Sequence, residues 1–344
     1  MGDTLRKARV AAVYLVHGTF VGPDALGLLG ELGRLFPSVA GVIRGLVKQM
    51  VECVTGDAGN YTADYQHIFS SGINPAGAIE IPVRLFQWSS ENHHVGRADG
   101  AVRLIDELAA LELLPGQRIL LWGHSHAGNV FALLSHLLSG DREAVSQFFE
   151  AARVYYRWPL VGCVDIPHWY RVETMLAGQR HPLMQTPLDI VTFGTPIRYG
   201  WDPAGYDKLL HFVNHRPAAG VPEYCAPFPP KVEHVLEAAD GDYIQQFGIA
   251  GTDVPPHVTA WRAWWAEGKL DRLLEPHFSV RNLPEILRAG TRVPQAGTTL
   301  LVDYGRPSGT IAEHHAGHAV YTRKEWMLFH AEQVAARFYR VAGG

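Results

Sequence analysis

The sequence predicts an α/β fold: a mostly parallel central sheet flanked by helices. Short apolar runs, each long enough for one strand, alternate along the chain with longer segments whose apolar residues recur at helical spacing. Strands that are apolar on both faces are typical of parallel sheets, because the crossover helices bury both sides. With 344 residues, 47% of them hydrophobic, the chain has enough apolar material for one large domain of this class.

Six segments of the sequence have the pattern of a β-strand. The strand pattern occurs at 11–16, 81–88, 118–123, 188–196, 209–215 and 299–305. These runs are rich in Val, Ile, Leu and aromatic residues, and most of them stop at Gly, Pro or a His-Gly pair, which interrupt regular structure.

Helices are predicted between the strands. The helical spacing covers 24–54 (two helices, broken near Pro37), 97–114, 127–140 and a closing helix at 323–341. Proline breaks the first of these regions because it lacks an N–H and its ring collides with the preceding turn. Glycine ends the helix over 127–140, where a left-handed residue is needed.

Two long segments, 141–187 and 216–297, do not follow this alternation and are rich in aromatic residues, Pro and Gly. Long irregular insertions in compact domains are often lids or binding loops. We therefore expect them to form a cap or lid on a single domain spanning 1–344. Within the second segment, Trp261, Trp264 and Trp265 lie at helical spacing, which favours packing against the core over burial in a lipid interface.

Composition excludes several classes of protein. A net charge of -4 and the lack of any Lys/Arg run argue against a nucleic-acid partner. Cys53, Cys163 and Cys225 are too few and too widely spaced for a disulfide framework and indicate free thiols in a reducing compartment. The apolar run near the N-terminus has only seven residues, so we expect a soluble, cytoplasmic protein without a signal peptide or membrane span.

The stretch "LLWGHSHAGNV" (120–130) places Ser125 between a predicted strand and a predicted helix. A tight turn at this point would expose the serine hydroxyl, and it requires small residues two positions before and after, here Gly123 and Ala127. The following helix would direct its N-terminal N–H groups at the turn. Ser125 is therefore a candidate nucleophile; the alternative is a plain helix N-cap, a position that serine favours.

Two further strands are expected to end beside this turn. His17-Gly18 closes the first strand, and a glycine followed by a small residue leaves backbone N–H groups facing a crevice. A simple β-turn is the alternative. Trp88 ends the second strand, and Asn92 and His93 follow it; all three are candidates either for substrate contact or for the start of a helix.

Three stretches in this order, "VYLVHGTF" (13–20), "LLWGHSHAGN" (120–129) and "DIVTFGTP" (189–196), resemble the α/β-hydrolase superfamily, in particular its lipase-like serine hydrolases. The resemblance implies the α/β-hydrolase fold, a nucleophile elbow at Ser125, and an oxyanion hole formed by backbone N–H groups of Thr19 or Phe20 and of His126. It implies no metal and no organic cofactor.

In this superfamily the triad runs Ser, then Asp or Glu, then His, so the base is expected after the last strand. His314, His315 and His318 lie there. His318 is preferred because Gly317 loosens the loop before it and "HAVY" resembles the H-x-x-Y near the catalytic histidine of lipase relatives, with His314 second. A metal held by His314 and His318 at i, i+4 spacing is the alternative, weakened by the lack of an HExxH glutamate.

The acid is the most open position. The lipase-like pattern expects an aspartate directly after the strand 209–215, and "NHRPAAGVPEY" has none. Asp242 in a Gly-flanked turn is the first choice, Asp202 and Asp253 are alternatives, and Asp240 is a fourth. The acid must be buried beside the imidazole to fix its tautomer.

The resemblance implies a serine hydrolase that cleaves a small-molecule or lipid carboxylic ester through an acyl-serine intermediate, and the aromatic segments favour an esterase or lipase over a peptidase. Transient contact with a lipid surface is compatible with this activity. An acyltransferase on the same fold, or a non-catalytic binding protein that has lost a triad member, are the alternatives.

Overall fold

A computed structural model describes residues 1–18, 59–158, 163–196, 198–248, 253, 255–256, 260–275, 292 and 294–340. The helices predicted over 24–54 lie outside these residues. So do Cys53 and the two candidate oxyanion residues Thr19 and Phe20.

Within the described residues the sheet has six strands, all parallel, so the predicted α/β class is confirmed. The strands are β1 (Val10–Val16), β2 (Val83–Phe86), β3 (Arg118–His124), β4 (Leu188–Phe193), β5 (Lys208–Asn214) and β6 (Thr298–Val302). Each lies within a few residues of its predicted segment. Their spatial order is β2-β1-β3-β4-β5-β6.

The described helices surround this sheet. They are α1 (Gly2–Lys7), α2 (Ala63–Ile73), α3 (His94–Ala109), α4 (Ala127–Leu138), α5 (Arg142–Tyr156), α6 (Pro167–Gly178), α7 (Val232–Leu236), α8 (Tyr243–Gly248), α9 (Trp261–Leu274), α10 (Ile311–His314) and α11 (Met327–Val334). The predicted closing helix is shorter than expected, because a 3-10 turn precedes α11 and a wider π turn, Ala335–Tyr339, follows it.

Each face of the sheet has its own apolar core, as the strands predict. In β1, Ala12 and Tyr14 face one core, and Val13 and Leu15 face the other. This alternation is the period of two that a strand imposes on its side chains. The first core includes α3, α4, α5, α6 and α9, while the second includes α1, α2 and α11.

The expectation of irregular structure in 141–187 is wrong, since α5 and α6 cover most of this segment. Their inward residues, among them Phe148, Phe149 and Trp169, join the same core as α3 and α4.

The tryptophans of α9 also depart from expectation: Trp261, Trp264 and Trp265 are 48%, 43% and 61% exposed, and Ala266 and Leu270 face the core instead. The role of these segments as a cap stays a prediction.

The strand order reverses direction at β1. The chain leaves β1 for β2 on one side and then crosses back to β3 on the other side, with α2 and α3 on opposite faces of the sheet, as right-handed crossovers require. At such a reversal the two connections diverge and leave a crevice at the carboxyl ends of the strands, where open α/β sheets bind their ligands. Here the crevice lies at the ends of β1 and β3.

Two further features concern the described residues as a set. Within the described ranges, no helix combines the length and apolar character needed to cross a bilayer. Cys163 and Cys225 are both free thiols.

Candidate functional site

Ser125 lies at the crevice between β3 and α4, in a strained backbone conformation. Its φ is +56°, in the left-handed region that residues with a Cβ seldom adopt. Two hydrogen bonds hold the turn: the Ser125 N–H donates to the Phe193 carbonyl at 2.8 Å, and the Thr195 hydroxyl donates to the Ser125 carbonyl at 2.8 Å. The end of β4 therefore pins the turn in place.

The residues flanking Ser125 leave no room for larger side chains. A Cβ on Gly123 would lie 2.4 Å from the Phe131 ring and 3.0 Å from the Ala127 Cβ, so the Phe131 ring above all requires glycine at this position. On the other side, a Cβ on Gly18 would lie 2.4 Å from the Ser125 Cβ. The sequence thus allows the backbone after β1 to pass directly beside the serine side chain.

The ends of β1 and β2 are joined next to this point. Val16 pairs with Phe86 on one side and Gly123 on the other. The Trp88 indole N–H donates to the His17 carbonyl at 2.8 Å and fixes the start of the segment that leads to the predicted oxyanion residues. His93 is the N-cap of α3, with its Nδ1 accepting from Gly96 N–H at 2.9 Å. These contacts fit the interpretation of His93 as part of a helix start.

His126 follows Ser125 at the N-terminus of α4. Its backbone N–H makes no hydrogen bond to any described residue, as a free oxyanion donor should. Its ring is buried, and Nδ1 accepts from Asn129 Nδ2 at 3.1 Å. Burial, followed by the positive charges of Arg97 and Arg198, holds the pKa of His126 well below its usual range, so this ring is neutral.

A buried imidazole–carboxylate pair lies at the same edge. His318 Nδ1 is 2.8 Å from Asp242 Oδ2, and the two side chains are 3% and 0% exposed. Because a carboxylate only accepts, Nδ1 carries a proton, and in the neutral imidazole the lone pair is then on Nε2. That Nε2 is buried and has no hydrogen-bond partner among the described residues. The pair therefore has the tautomer and the free nitrogen of a general base.

Asp242 reaches His318 from the end of β5. Its N–H donates to the Asn214 carbonyl at 2.9 Å, which ties the turn to the last residue of that strand. Its Oδ1 accepts from Gln245 N–H at 2.8 Å, and its Oδ2 also accepts from the Tyr321 hydroxyl at 2.9 Å. Three donors, including His318, therefore converge on this carboxylate.

Two residues near the Asp242–His318 pair, Tyr321 and Arg292, were not predicted as site residues. Tyr321 is the tyrosine of "HAVY", and its hydroxyl also accepts from the Asn214 N–H at 2.7 Å, so the H-x-x-Y spacing brings it onto the acid. Arg292 is fully buried nearby and donates to the carbonyls of Asn214 and Asp240. Only the H-x-x-Y spacing was visible in the sequence.

The other acid candidates lie in different surroundings. Asp202 caps a 3-10 turn through Ala204 N–H, and Asp240 accepts from the Tyr243 hydroxyl. Burial raises the pKa of Asp253, but its pairs with Arg97 and Arg198 outweigh this and hold it well below the usual range. None of the three hydrogen bonds to His318 among the described contacts.

His314, the second candidate for the base, lies in different surroundings. His314 is buried at the end of α10 and has no hydrogen bond to Asp242. The backbone turns left-handed at His315 and Ala316, so His314 and His318 do not share one face of a helix. The two histidines are still four positions apart, but they lack the shared helix face on which the alternative metal site depends.

The described residues contain one convergence of metal-ligand types: His94, Asp253 and Glu275. Arg198 donates to both oxygens of Glu275 at 2.8 and 2.9 Å and to Asp253 at 2.6 Å, and Arg97 also pairs with Asp253. The carboxylates are already matched by cations, so the group is an ion-pair network and not a convincing metal centre. It links α3 and α9 beside the crevice.

The chain has no detected relatives among known proteins. No protein-family model, no curated protein and no solved structure matches it. Its chemistry is accordingly inferred from its own residues and their geometry.

Proposed function

We propose that this protein is a serine hydrolase of the α/β-hydrolase type that cleaves carboxylic esters. One observation carries the proposal: a serine in a strained strand-to-helix turn and a buried imidazole–carboxylate pair with a free Nε2 occur at the same edge of a parallel sheet. Ser125, Asp242 and His318 also follow the chain order Ser, acid, His of that superfamily.

In the proposed mechanism, Ser125 Oγ attacks the ester carbonyl carbon while His318 Nε2 takes the hydroxyl proton. The carbonyl π electrons move to oxygen, and the oxyanion accepts a hydrogen bond from the His126 N–H. Asp242 holds the imidazole by Nδ1 and stabilises its cationic form. When the tetrahedral intermediate collapses, His318 protonates the departing alkoxide and an acyl-serine remains.

Deacylation repeats these steps with water as the nucleophile. His318 takes a proton from water, hydroxide adds to the acyl carbon, and the proton returns to Ser125 Oγ as the carboxylic acid leaves. An acceptor alcohol in place of water would give acyl transfer. The second oxyanion donor, proposed from Thr19 or Phe20, lies outside the described residues.

Further features support the setting of this activity. The two free thiols, Cys163 and Cys225, favour a reducing compartment such as the cytoplasm. The exposed Trp261 and Trp265 on α9 support transient contact with a lipid surface, where indole rings bind favourably. We propose a small-molecule or lipid ester as the substrate.

The test measures hydrolysis of nitrophenyl esters of increasing acyl length, with intact-protein mass spectrometry to detect the acyl-enzyme. Ser125→Ala should abolish both turnover and the acyl adduct. Ser139→Ala, at the opposite end of α4, is the matched control and should retain both. Equal turnover by wild type and Ser125→Ala, with both proteins folded, would exclude the proposal.

A further inference from the structure

His124, the last residue of β3, has no task in the mechanism above although it adjoins Ser125. Its side chain is 2% exposed. Its Nε2 is 3.1 Å from the backbone carbonyl oxygen of His318, and its ring centroid is 4.5 Å from that of His318. Since a carbonyl only accepts, His124 Nε2 carries the proton and donates it to the main chain of the proposed base.

The turn that delivers His318 needs such support. His315, Ala316 and Gly317 have φ values of 45°, 50° and 90°, three successive left-handed residues of which two carry a Cβ. Left-handed backbone is unfavourable for residues with a Cβ and persists only where surrounding contacts determine it. One contact is the bond from Asn214 Nδ2 to the Gly317 carbonyl at 2.9 Å. The bond from His124 follows at the next residue.

We propose that His124 is a positioning residue that holds His318 against the Ser125 turn. The inference rests on the proposed function of this site. Asp242 fixes the imidazole only at Nδ1, and Asn214 holds the loop only at the Gly317 carbonyl, so neither contact fixes the main chain at His318 itself or the tilt of its ring. The bond from His124 Nε2 fixes the main chain, and the ring contact limits the tilt. His124 and Ser125 are neighbours in sequence, so nucleophile and base share one rigid support at the end of β3.

The state of the His124 ring suits this task. Burial, and secondarily the neighbouring His318, hold the pKa of His124 well below its usual range. His124 therefore stays neutral when His318 takes the serine proton, and two cationic rings do not face each other. A neutral Nε2–H tautomer also keeps the donor to the His318 carbonyl throughout the reaction.

The test compares three substitutions at this position with a matched histidine elsewhere. His124→Phe keeps a ring but loses the donor, His124→Gln places an amide N–H near the original Nε2, and His124→Asn is too short to reach. The control is His211→Phe in β5: His211 is also 2% exposed, and its Nε2 is 3.1 Å from the Ala296 carbonyl, away from His318.

For nitrophenyl butyrate, His124→Phe should lower kcat by about 10²-fold with KM within about twofold, since a small displacement of a catalytic group costs about this much. His124→Gln should recover about tenfold of this loss. His211→Phe should lose similar thermal stability and keep kcat within about twofold. If His124→Phe does not fold, the comparison of His124→Gln with His124→Asn tests the positioning role instead. We expect kcat of His124→Gln to be at least about fivefold higher than that of His124→Asn.

A kcat of folded His124→Phe close to wild type, or equal rates for the Gln and Asn variants, would overturn the positioning role. So would an equal fall in kcat for His211→Phe, because it would show that general destabilisation is responsible. Ser125-dependent turnover of the wild type is measured in the same series. If the wild type shows no Ser125-dependent turnover, the proposed function itself is excluded. If the wild type turns over and the His124 variants are equally active, only the positioning role is excluded.

Discussion

Replacing Asp242 with asparagine makes the sharpest prediction, because the carboxylate accepts three hydrogen bonds at once. The Gln245 N–H, 2.8 Å from Oδ1, requires an oxygen at that position in the variant. The amide NH2 must then occupy the place of Oδ2, where His318 Nδ1 and the Tyr321 hydroxyl now donate at 2.8 and 2.9 Å. The amide NH2 would then face the two donors of His318 and Tyr321. The imidazole can accept a hydrogen bond from this NH2 only if its proton moves from Nδ1 to Nε2.

A proton on Nε2 removes the lone pair that accepts the serine proton in the proposed mechanism. Enforcing this wrong tautomer costs about 10⁴-fold in kcat in serine-hydrolase triads, equivalent to about 5 kcal/mol of transition-state stabilisation. We therefore expect Asp242→Asn to lower kcat for nitrophenyl butyrate by about 10⁴-fold, with little change in KM.

Two matched controls accompany this variant. Asp202→Asn alters only a partly exposed turn cap and should keep kcat within about twofold. Asp253→Asn weakens an ion-pair network and should lower the melting temperature more than it lowers kcat. Circular dichroism checks folding. A folded Asp242→Asn with kcat within about threefold of wild type, or a larger loss in either control, would refute the reasoning.

Three other perturbations have defined outcomes. Tyr321→Phe removes one donor to Asp242 and should lower kcat by about tenfold, less than loss of the acid itself, as steady-state kinetics would show. Gly123→Ala forces a Cβ to within 2.4 Å of the Phe131 ring and should destabilise by about 1–3 kcal/mol in urea unfolding while lowering kcat. Burial lowers the pKa of His330 to about 3, so below pH about 6.5 the unfolded chain binds a proton that the folded protein does not. The stabilisation that comes from a neutral buried His330 is therefore present above pH 6.5 and falls by about 1.4 kcal/mol per pH unit towards pH 3. Between pH 6 and 4 the free energy of unfolding of His330→Leu should consequently fall by about 3 kcal/mol less than that of the wild type.

Controls separate these effects from general damage. Gly72→Ala adds a Cβ to α2 where no described atom lies within 4 Å, and it should leave stability and kcat unchanged or slightly improved. A Gly123→Ala variant as stable and active as Gly72→Ala would contradict the close packing inferred at the turn. For His330, an unchanged acid slope in His330→Leu would show that other groups govern acid unfolding. For Tyr321→Phe, an unaltered kcat would mean that the hydroxyl does not support the carboxylate.

The sequence was most informative where the physical signal is local. An apolar run between breakers predicts a strand, and all six predicted strands are present within a few residues of their expected bounds. The small residues around Ser125 predict a tight turn, and the serine there has a left-handed backbone. Both signals lie within about ten residues of the feature they predict.

Features that depend on distant contacts were harder to predict. Asp242 and His318 are 76 positions apart, and only the folded chain shows that the acid comes from a turn tied to the end of β5. His124 is likewise 194 positions from His318, and no spacing rule connects them. In α5 the helical signal was present in Val145, Phe148, Phe149 and Ala152, but the aromatic and proline content of the wider segment obscured it.

Covalent labelling tests the central claim most directly. A fluorophosphonate probe phosphonylates a serine only when that serine is activated as a nucleophile, so it reports on the site without knowledge of the substrate. We expect wild-type protein to be labelled, peptide mass spectrometry to place the adduct on Ser125, and Ser125→Ala and Asp242→Asn to be unlabelled or labelled very slowly. Folded wild-type protein that takes up no probe, or that carries the adduct on another residue, would contradict the account.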